Sequence, residues 1–327
     1  MGSKNKIIGD LWHQLENLKF ESTFDCFAGS NVVGYFMKCQ GKRVVTNDFL
    51  TFSYLISKAI IENSKVKLSN DDIIFLLKKN KNDGFIQITY RNIFYSEEDN
   101  SFLDRVRYNI AEIENEYKKA LAQAAIVRAC LKKRSRGVFT FIGERYNDGR
   151  LDMQKSIETH FLESIKIFND AVFDNGQENK SYNRRAEDLH IKADLIYLDP
   201  PYYTPKSDND YTRRYHFIEG LVKNWDGLII QNHSIVKKFA SYYSPFSKKE
   251  TAYSAFEGLI KKYKDSIITI SYSSNSFPNK LELLEMLKRV KNHVEVHEID
   301  HLYSFGNQNN KIGNLNNRVK EYLFIAK

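Results

Sequence analysis

Cysteine is scarce in this chain of 327 residues: only Cys26, Cys39 and Cys130 are present. Their separations fit no metal-binding pattern, and an odd number closes no even-numbered disulfide framework. A stapled secreted scaffold is therefore not expected, and reduced thiols point to the cytoplasm. No apolar run approaches the roughly 20 residues of a membrane span. No charged-then-apolar secretion signal opens the chain, and Lys6 stands where a myristoylation site needs Ser or Thr. Internal repeats and low-complexity tracts are also lacking. Acidic charge falls short of basic charge, 41 Asp and Glu against 49 Lys and Arg, giving a formal +8 and a pI near 9.0. That balance favours a polyanionic partner.

The most informative feature present is Asp199-Pro200-Pro201-Tyr202, reached directly from the apolar run Leu195-Ile196-Tyr197-Leu198. A buried strand here delivers a carboxylate into a stiff turn. Each proline fixes its own φ and offers a carbonyl without an N–H, and each pushes its predecessor toward extended geometry. The Asp199 carboxylate and the Pro200 carbonyl become a rigid pair of acceptors, followed by the flat face of Tyr202. Two acceptors and a stacking surface suit an amine-bearing ring. A plain strand ending in a Pro-Pro turn is the bland alternative.

Upstream, Thr23 to Phe27 reads as a short strand, Ala28-Gly29-Ser30-Asn31 as a tight turn and Val32 to Cys39 as an apolar helix. This is the opening of a doubly wound α/β domain, whose helix start faces a ligand. A second strand, Arg43 to Thr46, leads to Asn47-Asp48. An acid there, about twenty positions after the glycine turn, is placed to hold ribose hydroxyls. A dinucleotide would want G-x-G-x-x-G, and the turn offers only Gly29 and Gly34. A nucleoside cofactor without a pyrophosphate, such as S-adenosylmethionine, needs fewer glycines.

Taken together, these residues resemble the Dam-type adenine-specific DNA methyltransferases, including those paired with restriction enzymes. Met1 to Ile7 looks like the family's N-terminal Gly-Ser-Lys segment, Phe27-Ala28-Gly29-Ser30 its cofactor loop and Asp48 its ribose-binding acid. Asp199-Pro200-Pro201-Tyr202 is similar to its catalytic motif. Tyr215-His216-Phe217, Ile270 to Asn275 and the tail from Tyr303 to Ile325 follow in the family's order. Two departures stand out. Asn31 occupies the place of a second glycine, which its tolerance of left-handed geometry makes acceptable. Arg184 and Arg185 occupy the stretch where the family commonly has an acid against the cofactor's adenine ring, with Glu187 and Asp188 just after.

The resemblance implies an S-adenosylmethionine-dependent, Rossmann-like α/β sheet with an inserted, mostly helical DNA-recognition lobe. It implies double-stranded DNA as partner and, in restriction-modification members, a cognate endonuclease. Catalysis would rest on Asp199, Pro200, Pro201 and Tyr202. The cofactor would be held by Lys4, Asp25, Phe27, Ala28, Gly29, Ser30, Asp48, Phe49 and Asp199. No metal is expected. The chemistry follows from the amine: two acceptors on the N6 protons favour a pyramidal nitrogen whose lone pair meets the methyl group, so alignment and charge stabilisation suffice. A duplex hides this base, so it must be extruded. His216 has no general-base task in such a mechanism. Other amines stay open as targets: an RNA adenine, cytosine N4 or a protein glutamine. Asp at the first motif position leans toward adenine, because the resembling cytosine and glutamine enzymes carry Ser and Asn there. A catalytically inactive DNA-binding relative is the remaining class.

The α/β pattern predicts a catalytic domain from residues 1–64 and 181–327, interrupted by a helical target-recognition lobe over 65–180. Within that lobe, Leu103 to Leu131 carries unbroken helical periodicity and runs into Lys132-Lys133-Arg134, followed by Gly137 as a stop. A cationic helix end complements the helix dipole. Read functionally, Lys132, Lys133 and Arg134 form a phosphate-gripping edge beside the loop carrying Arg145, with Tyr303 as a second wall for the extruded base.

Overall fold

A computed structural model describes residues 4–143, 149–201, 203, 210–274, 276–302 and 318–327. The chain forms two compact units, one of Leu50–Asn183 with Asp210–Tyr242, the other of Gly2–Phe49, Arg184–Asn209 and Tyr243–Lys327.

The second unit holds the strands β1 (Ser22–Asp25), β2 (Arg43–Asn47), β4 (Leu195–Leu198), β5 (Ile267–Ser273), β6 (Val294–Leu302) and β7 (Arg318–Ala326). They lie in the order β2-β1-β4-β5-β7-β6. The first four are mutually parallel, with Asp25 opposite Tyr197 and Leu198 opposite Ile270. β7 returns antiparallel between β5 and β6, setting Glu321 opposite Ser273. β1 and β4 are buried at every residue, as expected for central parallel strands covered on both faces. Four helices accompany them: α1 (Ile8–Leu15), α2 (Val32–Cys39), α10 (Lys249–Lys262) and α11 (Lys280–Lys288). Chain order reverses at β1, whose neighbours are β2 on one side and β4 on the other. In open α/β sheets a ligand crevice lies outside the carboxyl ends of strands at such a point.

The turn from β1 into α2 has the expected geometry. Gly29 has φ +50° and Asn31 φ +63°, so the residue replacing the second glycine does sit in the left-handed region. α2 spans the same residues as the sequence pattern suggested.

The first unit carries β3 (Lys180–Tyr182) and the helices α3 (Thr51–Ser57), α4 (Asn70–Leu77), α5 (Phe85–Thr89), α6 (Glu97–Ala111), α7 (Glu116–Lys133), α8 (Ile157–Ala171) and α9 (Tyr211–Val222). Its boundaries differ from the expected 65–180. Residues 210–242 join it because Phe217 and Trp225 pack with Tyr90 and Phe94, and residues 50–64 join α9 in turn through Glu219, which accepts the backbone N–H groups of Thr51 and Phe52 at 3.0 and 3.1 Å. The single long helix expected over 103–131 is two. Asn115 ends the run by capping α7 through the N–H groups of Tyr117 and Lys118, a role that short polar side chains perform better than helix-interior ones. An aromatic core of Tyr90, Phe94, Phe139, Phe217 and Trp225 fills this unit, with ring centroids 4.9 to 5.8 Å apart.

Candidate active site at the strand ends

β1, β2 and β4 each finish in or beside a carboxylate, at Asp25, Asp48 and Asp199. Strand register brings these ends together, so residues far apart in sequence share one crevice. Asp25 is 2 % exposed and accepts the Phe27 N–H at 3.2 Å. Burial pushes its pKa up to about 8, with repulsion from Asp199 and Asp48 adding to the effect and the Phe27 and Gly34 N–H groups opposing it. Asp48 accepts the Gly29 N–H at 2.8 Å. The acid at the tip of β2 thus also fastens the glycine turn. Neighbouring Asn47 exchanges two hydrogen bonds with the Arg184 backbone, at 2.9 and 3.1 Å, and reaches the Cys26 carbonyl.

Asp199 stands just past the end of β4, and its side chain is 18 % exposed. Lys4, from a short 3-10 turn before α1, places its ammonium 3.2 Å from the Asp199 carboxylate and 2.6 Å from that of Glu321 on β7. Burial raises the Asp199 pKa to about 6; Lys4 pulls it down and Glu321 pushes it up. Glu321 is completed by the Ser271 hydroxyl at 2.8 Å.

Beside these groups, Phe27, Asn47, Phe49, Glu187, Pro201 and Phe246 line a cleft of about 290 Å³, measured to its open mouth. Phe27 meets Phe246 edge to face at 5.1 Å. Arg185 is turned onto Glu187 and the Tyr243 carbonyl, so the arginine that interrupts the family pattern carries a paired acid beside it in the cleft wall. Flat apolar walls with a few polar groups suit a planar ring. The carboxylate cluster suits a cation.

The structure therefore gathers Lys4, Asp25, the Phe27-Ala28-Gly29-Ser30 turn, Asp48, Phe49, Asp199, Pro200 and Pro201 in one unit. Sequence reasoning assigned no role to Glu321, Asn47 or Phe246. Asn47 adjoins the predicted acid and was open to inference. Glu321 and Phe246 lie far along the chain, and no local pattern marks them. Tyr202, Arg145 and Tyr303 lie outside the described residues.

The basic cluster departs from expectation. Arg134 is 1 % exposed. Its guanidinium donates to the carbonyls of Val138, Phe141 and Gly143 and lies over the rings of Phe94 and Phe141. Those contacts place it in the interior of its unit, so Arg134 is a structural residue and not the phosphate contact expected. Lys132 pairs with Asp152, and Lys133 with the buried Asp99. His216 is fully buried, and its Nε2 lies 2.9 Å from the Phe139 carbonyl. Burial lowers its pKa to about 4, so the ring is neutral near pH 7 and has a structural place.

Comparison with known proteins identifies the family. Residues 1–311 match the family described as D12 class N6 adenine-specific DNA methyltransferase. The type II methyltransferase M2.HphI of Haemophilus parahaemolyticus is 31 % identical over 327 residues, covering 95 % of this chain and 93 % of that protein. The modification methylase StsI of Streptococcus sanguinis is 26 % identical over 82 % of this chain, which spans 42 % of that relative. The type II methyltransferase M.NlaIII of Neisseria lactamica is 23 % identical, with 88 % of this chain and 87 % of the relative covered. With a family match along nearly its whole length, and a site whose acid-Pro-Pro turn closes a central parallel strand, the chain belongs to the D12 class of N6 adenine-specific DNA methyltransferases.

Proposed function

We propose that this chain takes a methyl group from S-adenosylmethionine and places it on N6 of an adenine extruded from duplex DNA, at a defined site, as a modification methylase. The observation that carries this reading is the Asp199 carboxylate at the end of β4, held beside Lys4 and next to an aromatic-lined cleft.

The donor fits the residues present. Asp25 and Asp199 would hold a sulfonium and an ammonium, Asp48 the ribose hydroxyls, and Phe27, Phe49, Glu187 and Phe246 a purine ring. When bound, that donor supplies a methyl group activated on positively charged sulfur. The chain's own contribution is alignment and electrostatics. Asp199 accepts one N6–H and the Pro200 carbonyl the other, which turns the nitrogen lone pair out of the ring plane and toward the methyl carbon. Formation of the N–C bond would break the donor's C–S bond, release a neutral thioether and leave the nitrogen cationic. The nearby Asp199 carboxylate would stabilise that charge, and one N6 proton would then pass to solvent water, giving the neutral methylamine. Tyr202 stacks on the extruded ring and Tyr303 walls it. Lys132, Lys133 and Arg145 keep their assignment to the DNA backbone in this proposal.

Incubation with duplex DNA and isotopically labelled S-adenosylmethionine, followed by nucleoside mass spectrometry, tests the reading. N6-methyladenine is the expected product. Label on cytosine N4, or on RNA alone, would replace it with one of the other amine targets. Sequencing that detects modified bases would then give the site.

A further inference from the structure

Glu321 is a fully buried carboxylate that the mechanism above does not use. It comes from β7, near the end of the chain, and is 1 % exposed. Its partners include the Lys4 ammonium at 2.6 Å and the Ser271 hydroxyl at 2.8 Å. Ser273 lies opposite Glu321 in the β5–β7 ladder, so Ser271, two residues away, is its diagonal neighbour on the same sheet face. A buried carboxylate is costly unless paired and hydrogen-bonded, and this one has both kinds of partner. Its other consequence concerns Lys4, because the same ammonium is 3.2 Å from Asp199.

We infer that Glu321 is a positioning residue for methyl transfer: it holds the Lys4 ammonium by the shorter contact, so that Asp199 keeps its acceptor strength for the substrate amine. This rests on the function proposed above. An ammonium paired with Asp199 alone would draw in close, occupy carboxylate lone pairs that the N6–H needs and weaken the carboxylate's hold on a nitrogen becoming cationic. Sharing the ammonium between two carboxylates leaves Lys4 in place to screen the acidic cluster and leaves the trio with a net negative charge. Ser271 fixes the Glu321 rotamer. Among the described residues, the titratable groups facing Asp199 are Lys4 from the N-terminal turn, Glu321 from β7, Asp25 from β1 and the Tyr197 phenol from β4. Among these, Glu321 raises the Asp199 pKa and Lys4 lowers it.

The test is Glu321→Gln in the full chain, which keeps the side-chain shape and an acceptor for Ser271. Steady-state methyl transfer to duplex DNA is followed from pH 5 to 8.5 beside the wild type. The expected result is a fall in kcat of about tenfold or more with KM for DNA within about threefold, and an acid limb displaced to lower pH by about one unit. Unchanged kcat and an unchanged limb overturn the inference. So does a rate loss with the limb in place and a matching loss of thermal stability, since that is only a packing defect. Should the variant fail to fold, Ser271→Ala decides. It leaves every charge present, and the expected loss in kcat is about three- to tenfold; wild-type kcat would overturn the inference. Wild-type transfer to a different amine would defeat the proposed function alone, leaving the rate and pH comparison to judge Glu321. A wild type without any transfer would defeat both.

Discussion

At the scale of single residues, the site gathers acidic side chains in a place where burial disfavours their charged forms. Asp199 is the residue with the clearest chemical task. Asp199→Ala should reduce methyl transfer by about 10²–10³, the usual effect of removing one electrostatic contact to the transition state. Binding of S-adenosylmethionine by calorimetry should stay within about tenfold, because the glycine turn and Asp48 are untouched. Activity near wild type in a labelled-methyl assay would remove Asp199 from the mechanism. Asp25 gives a second expectation, in stability. Its pKa rises from 3.8 to about 8 on folding, chiefly through burial. Between those values the folded state binds more protons than the unfolded state, so this group makes stability fall as pH rises through that window. Asp25→Asn cannot ionise. In the ligand-free protein its melting temperature relative to wild type should therefore improve more at pH 8 than at pH 5. An equal difference at both values would show that Asp25 does not titrate in this way.

Among elements, the end of α7 shows how a charge run misleads. Lys132-Lys133-Arg134 reads as a cationic edge, yet folding spends Arg134 on the loop that follows the helix, while Lys132 and Lys133 pair with carboxylates of their own unit and stay partly exposed. Arg134 reaches three carbonyls and two rings, a use available to a planar guanidinium with five donors and not to an ammonium. Arg134→Ala should cost about 2–4 kcal/mol in urea denaturation, because several buried carbonyls lose their donors together. The dependence of DNA affinity on salt should keep its slope in any population that remains folded. A slope reduced by about 0.9 in a fully stable variant would restore the phosphate reading. The break between α6 and α7 belongs at this scale too. Periodicity continues through residues 112–115, and the cap that Asn115 makes shows where the second helix starts.

For the whole molecule, the formal charge of +8 over 327 residues should appear in DNA binding as a strong salt dependence. Affinity for duplex DNA should fall by about 10³ or more between 50 and 200 mM salt if six or more phosphates are contacted. A flat dependence, measured by fluorescence anisotropy on cognate and scrambled duplexes, would mean that the net charge plays little part in recognition. No helix among the described residues is long and apolar enough to cross a membrane.

What the sequence determined by itself was local and sequential. The strand before Asp199, the turn with Gly29 and Asn31, the helix over Val32–Cys39 and the acid after β2 were all legible, because each depends on neighbours within a few residues: apolar runs, φ restrictions and turn chemistry. The family resemblance rested on these same motifs in order. Tertiary structure decided whatever depends on residues far apart. Lys4, Asp199, Ser271 and Glu321 come from four elements, and only the parallel register of β1, β4 and β5 with the antiparallel return of β7 brings them to one place. The membership of residues 50–64 and 210–242 in the helical unit likewise follows from distant partners, Phe217 and Trp225 on Tyr90 and Phe94, and Glu219 on the start of α3. Burial decided which charges are external and which are internal partners, and hence why Arg134 is a structural residue while Asp199 and Asp25 have pKa values raised by desolvation. A sequence states which groups are present; their dielectric surroundings and their long-range partners exist only once the chain has packed.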